Sequence, residues 1–366
     1  MFSRRARWDA PVNQLTIARQ SRDGLLDLTE SNPTRAAIDY PLDELSDALA
    51  RAARVPYSPD PLGIRSAREA VAESIGAHPD DVVITASTSE AYSYLFKLLT
   101  DPGDAIATAT PSYPLLEHLA AMELTELQPF ALELHRRWEL DAGALQQAIG
   151  ERTRAIVVVN PNNPTGSFVT GDEQRSLAAH RLPVISDEVF LDYPLEGLGT
   201  TFANDDVLHF ALGGLSKSAG LPHFKLGWIR VGGPSAARRE AIAALELIAD
   251  NFLSVATPVQ IALPEILRIA PRIRSAISQR TRENLDALNV AVASKAEWQL
   301  LPVEGGWSAV IRVPQTRSDE ELALDFLDRG VVVYPGYFFD FERDGWFVVS
   351  LLTPPDIFRE GIRRIV

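Results

Sequence analysis

Short runs of β-branched and other apolar residues recur through the first two thirds of the chain, separated by longer stretches with helical spacing. Val82-Val83-Ile84, Ala105-Ile106-Ala107, Ala155-Ile156-Val157-Val158-Val159, Val184-Ile185-Ser186 and Val207-Leu208-His209-Phe210 read as strands. Their alternation with helices predicts an α/β fold, with a large domain over 45–265 built on a mainly parallel mixed sheet flanked by helices. A long helical stretch follows from Ala236 to Ile269, with an interruption expected at Pro258. Beyond it the pattern changes to a helix near Ser275 to Ser294. Strand, helix and strand segments then run to the end, with strands at Trp307 to Val313, Val331 to Tyr334 and Trp346 to Leu351 and turns at Gly305-Gly306 and Pro335-Gly336. These segments predict a smaller α/β domain over 266–366. Residues 1–44 carry no strong periodicity and predict an arm that belongs partly to the small domain and reaches toward the site.

Ligands of open parallel sheets gather at the carboxyl ends of the strands. The polar and unusual residues fall there: Ser87 to Glu90 after the first run, Pro111 to Pro114 after the second, Asn160 to Gly166 after the third, Asp187 after the fourth and Ser216-Lys217 after the fifth. Five strand ends converge on one crevice.

Charge and composition narrow the partners. A net charge of −14 argues against nucleic acid and against an anionic membrane, since both need a basic footprint. The absence of cysteine excludes disulfides, thiolate catalysis and cysteine-ligated metal. Six histidines show no close pair of the HExxH kind, so no metal site is expected. No Gly-x-Gly-x-x-Gly follows the first strand, and Ser216 precedes Lys217 where a P-loop needs glycine. The start, Met1 to Asp9, is charged with no apolar run behind it, and its Arg4-Arg5 pair lacks the hydrophobic segment of a twin-arginine signal. A soluble, cytoplasmic protein with a small-molecule partner is expected.

The lysines are the sharpest chemical clue. Of 35 basic residues only Lys97, Lys217, Lys225 and Lys295 are lysine, leaving 35 − 4 = 31 arginines. Two of the four sit in Ser216-Lys217-Ser218-Ala219-Gly220-Leu221-Pro222-His223-Phe224-Lys225. An amine, unlike a guanidinium, can lose its proton when desolvated and then condense with a carbonyl compound.

Taken in order, Tyr57 with Gly63, Ser87-Thr88-Ser89-Glu90, Pro111-Ser112-Tyr113-Pro114, Asn160-Pro161-Asn162-Asn163-Pro164-Thr165-Gly166, Ser186-Asp187-Glu188 and Ser216-Lys217 resemble the class I/II aminotransferases that use pyridoxal phosphate. The resemblance runs from about Leu28 to the C-terminus and implies the aspartate aminotransferase-like fold. It makes Lys217 the internal-aldimine lysine and proton shuttle, and Asp187 the partner of the pyridinium nitrogen. Asn163 would donate to the ring's phenolic oxygen and Tyr113 would stack on the ring. Thr88, Ser89, Ser216 and Lys225 would hold the phosphate, the first two at a helix start. Tyr57 would reach the phosphate from a neighbouring subunit, which implies a homodimer with shared active sites. The implied activity moves an amino group from a small amino acid to an oxo acid. The same scaffold also admits a β-lyase, a decarboxylase, a racemase or a non-catalytic cofactor-binding regulator.

Three departures from the family pattern bear on the reaction. Phe190 stands where a tyrosine usually donates to the phenolic oxygen, and Lys225 where an arginine commonly grips the phosphate. Val348 takes the place of the arginine that usually binds the substrate carboxylate. Surrogates are expected from the arm, Ser31, Asn32 and Arg35, or from Arg65. His223 lies six residues past Lys217 and is a further candidate at the crevice.

Overall fold

A computed structural model of the chain describes residues 11–52 and 54–366 together with Ser3 and Arg5. Apart from these two, the arginine-rich start lies outside the described residues. The arm supplies β1 (Leu26–Asp27). A large sheet follows from β2 (Val82–Thr85), β3 (Ala105–Thr110), β4 (Glu126–Leu134), β5 (Trp138–Leu140), β6 (Thr153–Val159), β7 (Val184–Asp187), β8 (His209–Gly214) and β9 (Gly227–Gly232). The strand order is β2-β9-β8-β7-β6-β3-β4-β5. From β8 to β4 every pairing is parallel, whereas β2 with β9, β9 with β8 and β4 with β5 pair antiparallel. The sheet is therefore mixed, with a parallel centre. Helices cover both faces, so the central strands are apolar on both sides, which is why β6 reads as an unbroken Ala-Ile-Val-Val-Val run.

The fifth run differs from its expected span, starting at His209 and continuing to Gly214. Gly213 explains the extension, since a Cβ there would lie 2.4 Å from the Trp228 indole nitrogen on β9. Only glycine lets these two strands pair at that point.

The break expected at Pro258 is present just before it: the helix Ser235–Asp250 ends and residues 251–256 are non-helical. One helix, Thr257–Ala293, runs without interruption, and Pro258 occupies its first turn, where an amide has no intrahelical acceptor to lose. Pro264 and Pro271 lie in its interior and each removes one amide from the ladder. Packing compensates: Leu263, Ile266, Ile269, Ile273 and Ile277 are buried in a core with Leu215, Trp228 and Trp307. Farther along, Leu285, Leu288 and Val292 join a second core with Leu15 and Leu28 of the arm and Phe347 and Phe358.

A smaller antiparallel sheet combines β10 (Gln299–Leu300), β11 (Ser308–Arg312), β13 (Tyr334–Pro335) and β14 (Trp346–Ser350) in the order β10-β11-β14-β13. The strand expected over Val331 to Tyr334 is split. Its first half, β12 (Val331–Val332), pairs in parallel with β1, and its second half pairs with β14. Among the described residues no helix is long and apolar enough to cross a membrane.

Candidate active site

A cavity of about 360 Å³ opens at the carboxyl ends of β3, β6, β7 and β8. Its wall includes Thr88, Ser89, Tyr113, Asn163, Asp187, Ser216 and Lys217, seven of the residues singled out in the sequence, and Ser31 from the arm. Parallel pairing produces this convergence, because it brings the ends of neighbouring strands to one rim.

Lys217 follows β8 in a single helical turn, Leu215–Ser218. The turn is pinned twice: the Leu215 amide donates to the Leu226 carbonyl at 3.0 Å, and the Tyr193 hydroxyl donates to the Lys217 carbonyl at 2.6 Å. The amine is thereby aimed between two rings, with Nζ 5.4 Å from the centroid of Phe190 and 5.0 Å from that of Trp307. Burial lowers its pKa from 10.5 to about 8, against the attraction of Asp187. About a tenth of the amine is therefore neutral at pH 7, far more than for an ordinary lysine.

Asp187 closes β7. Its carboxylate accepts from the Tyr92 hydroxyl at 3.1 Å and from the Val189 amide at 3.2 Å. Burial raises it to about 6, opposed by those two hydrogen bonds and by Lys217. The small surface that Asp187 and Lys217 retain faces this cavity. Next to Asp187, Glu188 accepts from Ser186 Oγ at 2.9 Å, Thr201 Oγ1 at 2.6 Å and the Phe202 amide at 2.7 Å. Burial raises it to about 7. Alternation along the strand end separates the two carboxylates, one facing the cavity and the other tying the 201–202 loop to β7.

The helix Thr88–Leu99 starts at the cavity. Ser87 caps it by accepting from the Glu90 amide at 3.2 Å, and Glu90 in turn accepts from the Ala86 amide at 2.6 Å. The first-turn amides of Thr88 and Ser89 have no intrahelical acceptor and sit at the positive end of the helix. Ser87, Thr88, Ser89 and Ser216 also line this cavity. The corner at the helix start can bind an anion. Asn163 accepts from Ser308 Oγ at 3.1 Å through its side-chain oxygen, leaving its amide nitrogen for the cavity. Tyr113 is half exposed at the rim.

Other sequence candidates sit elsewhere. Lys225, in a left-handed conformation with φ of 50°, is exposed and off the cavity wall, although its neighbour Leu226 lines it. Tyr57 is exposed and borders a separate shallow groove with Gly63, Tyr94 and Leu253. Asn32 accepts from the Thr34 amide and hydroxyl, closing a turn, and Arg35 is exposed and off the wall. Arg65 is not a free surrogate, because it pairs with Glu69 at 2.8 Å and with Asp80. His223 is exposed and packs edge-on against Phe224, outside the wall. Val348 is buried with Trp138, Val310 and Phe339. Two residues on, Ser350 lines the cavity and donates to the Glu30 carbonyl at 2.6 Å.

Sequence reasoning assigned no role to Tyr92, Tyr193 or Trp307, and named Glu188 only within the Ser186-Asp187-Glu188 motif. Tyr92 had a signal, lying one helical turn after Thr88. Trp307, behind the Gly305-Gly306 turn, had none before β11 was placed beside β14.

Comparisons with known proteins agree with this geometry. The chain is 32% identical over 245 residues to nicotianamine aminotransferase 1 of Oryza sativa subsp. japonica, covering 62% of this chain and 49% of that protein. It is 33% identical over 248 residues to an S-alkyl-thiohydroximate lyase of Arabidopsis thaliana, covering 63% and 53%. The chain thus spans about half the length of these curated relatives. The solved alanine aminotransferase of Pyrococcus furiosus superposes with a TM-score of 0.90 at 25% identity, over 100% of this chain and 98% of that one. Residues 24–365 match the family described as aminotransferase class I and II. With the family pattern running through both sheets and every strand end that builds the cavity, the chain belongs to the class I and II aminotransferases.

Proposed function

We propose that the protein is a pyridoxal phosphate-dependent aminotransferase, moving an amino group from an amino acid to an oxo acid in the cavity around Lys217. The observation that carries this reading is a buried amine brought to about 8 in one cavity with a buried carboxylate brought to about 6, beside an open helix start. The donor set fits the cofactor: an anion corner at Thr88, Ser89 and Ser216 for a phosphate, Asp187 for a ring nitrogen, Asn163 for a ring oxygen and Lys217 for a carbonyl carbon. When bound, pyridoxal phosphate supplies that carbonyl and a ring that takes up an electron pair.

The chain's own residues do the rest. Lys217, neutral in part near pH 7, accepts a proton from the reacting carbon and returns it one position away. Asp187, held by Tyr92 and Val189, would accept a hydrogen bond from the ring N–H and keep that proton in place. Tyr113, at the cavity rim, would cover one ring face. Tyr57, exposed on this subunit, would serve a second copy in a homodimer with shared sites, whereas Lys225 lies off the cavity wall. Of the arm residues Ser31, Asn32 and Arg35, Ser31 is the one on the wall and would meet the substrate.

A second reading, a lyase, is favoured by the 33% identity to the Arabidopsis lyase. One experiment separates them. The protein with pyridoxal phosphate is mixed with amino acids without any oxo acid, and its visible absorbance is followed. Transfer produces the pyridoxamine phosphate spectrum and one equivalent of oxo acid per site. With an amino acid that carries a β-leaving group, lyase chemistry produces oxo acid, ammonia and the released group continuously with the original spectrum retained.

A further inference from the structure

Resting on the aminotransferase reading, we propose that Tyr92 is a positioning residue that keeps Asp187 ionised and aimed at the cofactor's ring nitrogen, so that one helix serves both the phosphate corner and the ring-nitrogen partner. The helix Thr88–Leu99 starts at the anion corner, and Tyr92 lies one turn farther along it. From there its hydroxyl donates to Asp187 Oδ2 at 3.1 Å, and both residues line the cavity. The ring is fixed from behind. Tyr92 is 6% exposed, sits in a core with Leu95, Phe96 and Ile185, and has its centroid 5.8 Å from that of Phe96. Ile185 belongs to β7, the strand that ends in Asp187. The contact therefore ties a helix start to a strand end within one chain, and a second copy completing the cavity rim leaves it unchanged.

An aspartate in this place serves the cofactor only as an anion. Ionised, it accepts from a protonated ring nitrogen and holds the positive charge that draws electrons into the ring; neutral, it donates to an unprotonated nitrogen and does not. Burial works against the anion and pushes Asp187 up to about 6, within reach of neutral pH. Among the described residues, Lys217 attracts the carboxylate from the end of β8, and Tyr113 at the rim feels its charge. Glu188, next in the chain, is tied instead to Thr201 and Phe202. Two hydrogen bonds hold the carboxylate itself. The Val189 amide donates to Oδ1, as any backbone amide there would, so the Tyr92 hydroxyl is the half that depends on a side chain. Burial, together with the charge of Asp187, keeps the Tyr92 phenol well above its ordinary value. Its proton is therefore always offered to the carboxylate, and such a bond stabilises the charged form of the acceptor.

Infrared spectroscopy of the cofactor-free protein reads the charge of Asp187 directly. The carbonyl stretch of the protonated carboxyl is isolated at each pH by subtracting the spectrum of Asp187→Asn, and the same subtraction is made for Tyr92→Phe against its own Asp187→Asn double variant. Phenylalanine keeps the ring that packs on Phe96 and loses the hydroxyl alone. In Tyr92→Phe the Asp187 titration should lie at least about one pH unit above that of the wild type. Wild-type chain grown with 3-fluorotyrosine, whose hydroxyl is a stronger donor, should move the same titration down, which tests the contact even if Tyr92→Phe does not fold. With pyridoxal phosphate bound, and with the amino acid that converts the wild type fastest, the maximal rate of pyridoxamine phosphate formation should fall at least about tenfold in Tyr92→Phe, while the half-saturating concentration stays the same. A Tyr92→Phe titration that coincides with the wild type's overturns the inference and leaves the aminotransferase reading standing; should that variant not fold, an unmoved 3-fluorotyrosine titration does the same. A half-reaction as fast as the wild type's also overturns it. If no amino acid converts the wild type, the aminotransferase reading falls, and the titrations of the cofactor-free protein still decide whether Tyr92 keeps Asp187 charged.

Discussion

Replacing Lys217 with methionine should stabilise the cofactor-free protein at pH 7 while removing the amine. In the folded chain burial lowers this ammonium from 10.5 to about 8. The fall corresponds to ~3 kcal/mol at about 1.36 kcal/mol per pH unit. Between pH 8 and 10.5 the unfolded chain binds the proton and the folded chain does not, so this group's contribution to stability rises with pH. Its cost is fully present below pH 8 and is lost as pH climbs toward 10.5. Methionine removes that cost and fills a similar volume. It gives up the ammonium contacts with Phe190 and Trp307, worth on the order of 1 kcal/mol, and leaves Asp187 without its opposing charge. The net gain should be about 2 kcal/mol at pH 7 and should shrink to less than half of that by pH 10. Urea unfolding of cofactor-free wild type and Lys217→Met, followed by tryptophan fluorescence at pH 7, 9 and 10, measures it. A variant no more stable than wild type at pH 7, or a gain that does not depend on pH, would refute the reasoning.

Three further outcomes follow from the same geometry. On the proposed cofactor reading, Phe190→Tyr adds a hydroxyl donor on the cavity wall for the phenolic oxygen, so the pH midpoint of the bound cofactor's visible absorbance should fall by roughly one unit, read in a spectrophotometric titration. Because burial raises Glu188 from 4.5 to about 7, the wild type loses stability from this group as pH rises across that window. The stability of Glu188→Gln relative to wild type should therefore improve by about 2 kcal/mol between pH 5 and pH 8, measured by urea unfolding at each pH. Gly213→Ala drives a methyl group into Trp228 and should cost about 2 kcal/mol, seen as a lower melting temperature and a weaker grip on the cofactor.

The fold was legible where strands are buried on both faces, because continuous apolar runs such as Ala155 to Val159 have few alternatives. It was illegible where pairing depends on missing side chains. Gly227–Gly232 offers few β-branched residues, and its place between β2 and β8 follows from the room that Gly213 leaves for Trp228. Pro258 marked a true boundary, since proline suits a helix's first turn, whereas Pro264 and Pro271 lie inside the helix that follows, where the buried stripe outweighs them.

For the site, sequence order was enough to gather Thr88, Ser89, Tyr113, Asn163, Asp187, Ser216 and Lys217, since each follows a strand or sits on the rim that parallel pairing creates. The residues that set their chemistry come from other places. Trp307 arrives from the small sheet's side, Tyr193 reaches back from a loop to hold the Lys217 carbonyl, and Tyr92 approaches Asp187 from a helix. Such contacts depend on tertiary packing and leave no local pattern. The opposite error concerns Arg65, whose charge is spent on Glu69 and Asp80.

The most direct test of the account is to find which lysine takes the cofactor. Protein incubated with pyridoxal phosphate is reduced with borohydride, digested, and its four lysine-containing regions compared by mass spectrometry. The account predicts a single phosphopyridoxyl label, on Lys217, lost in Lys217→Met. A label on Lys225, Lys97 or Lys295, or one spread over all four, would contradict it.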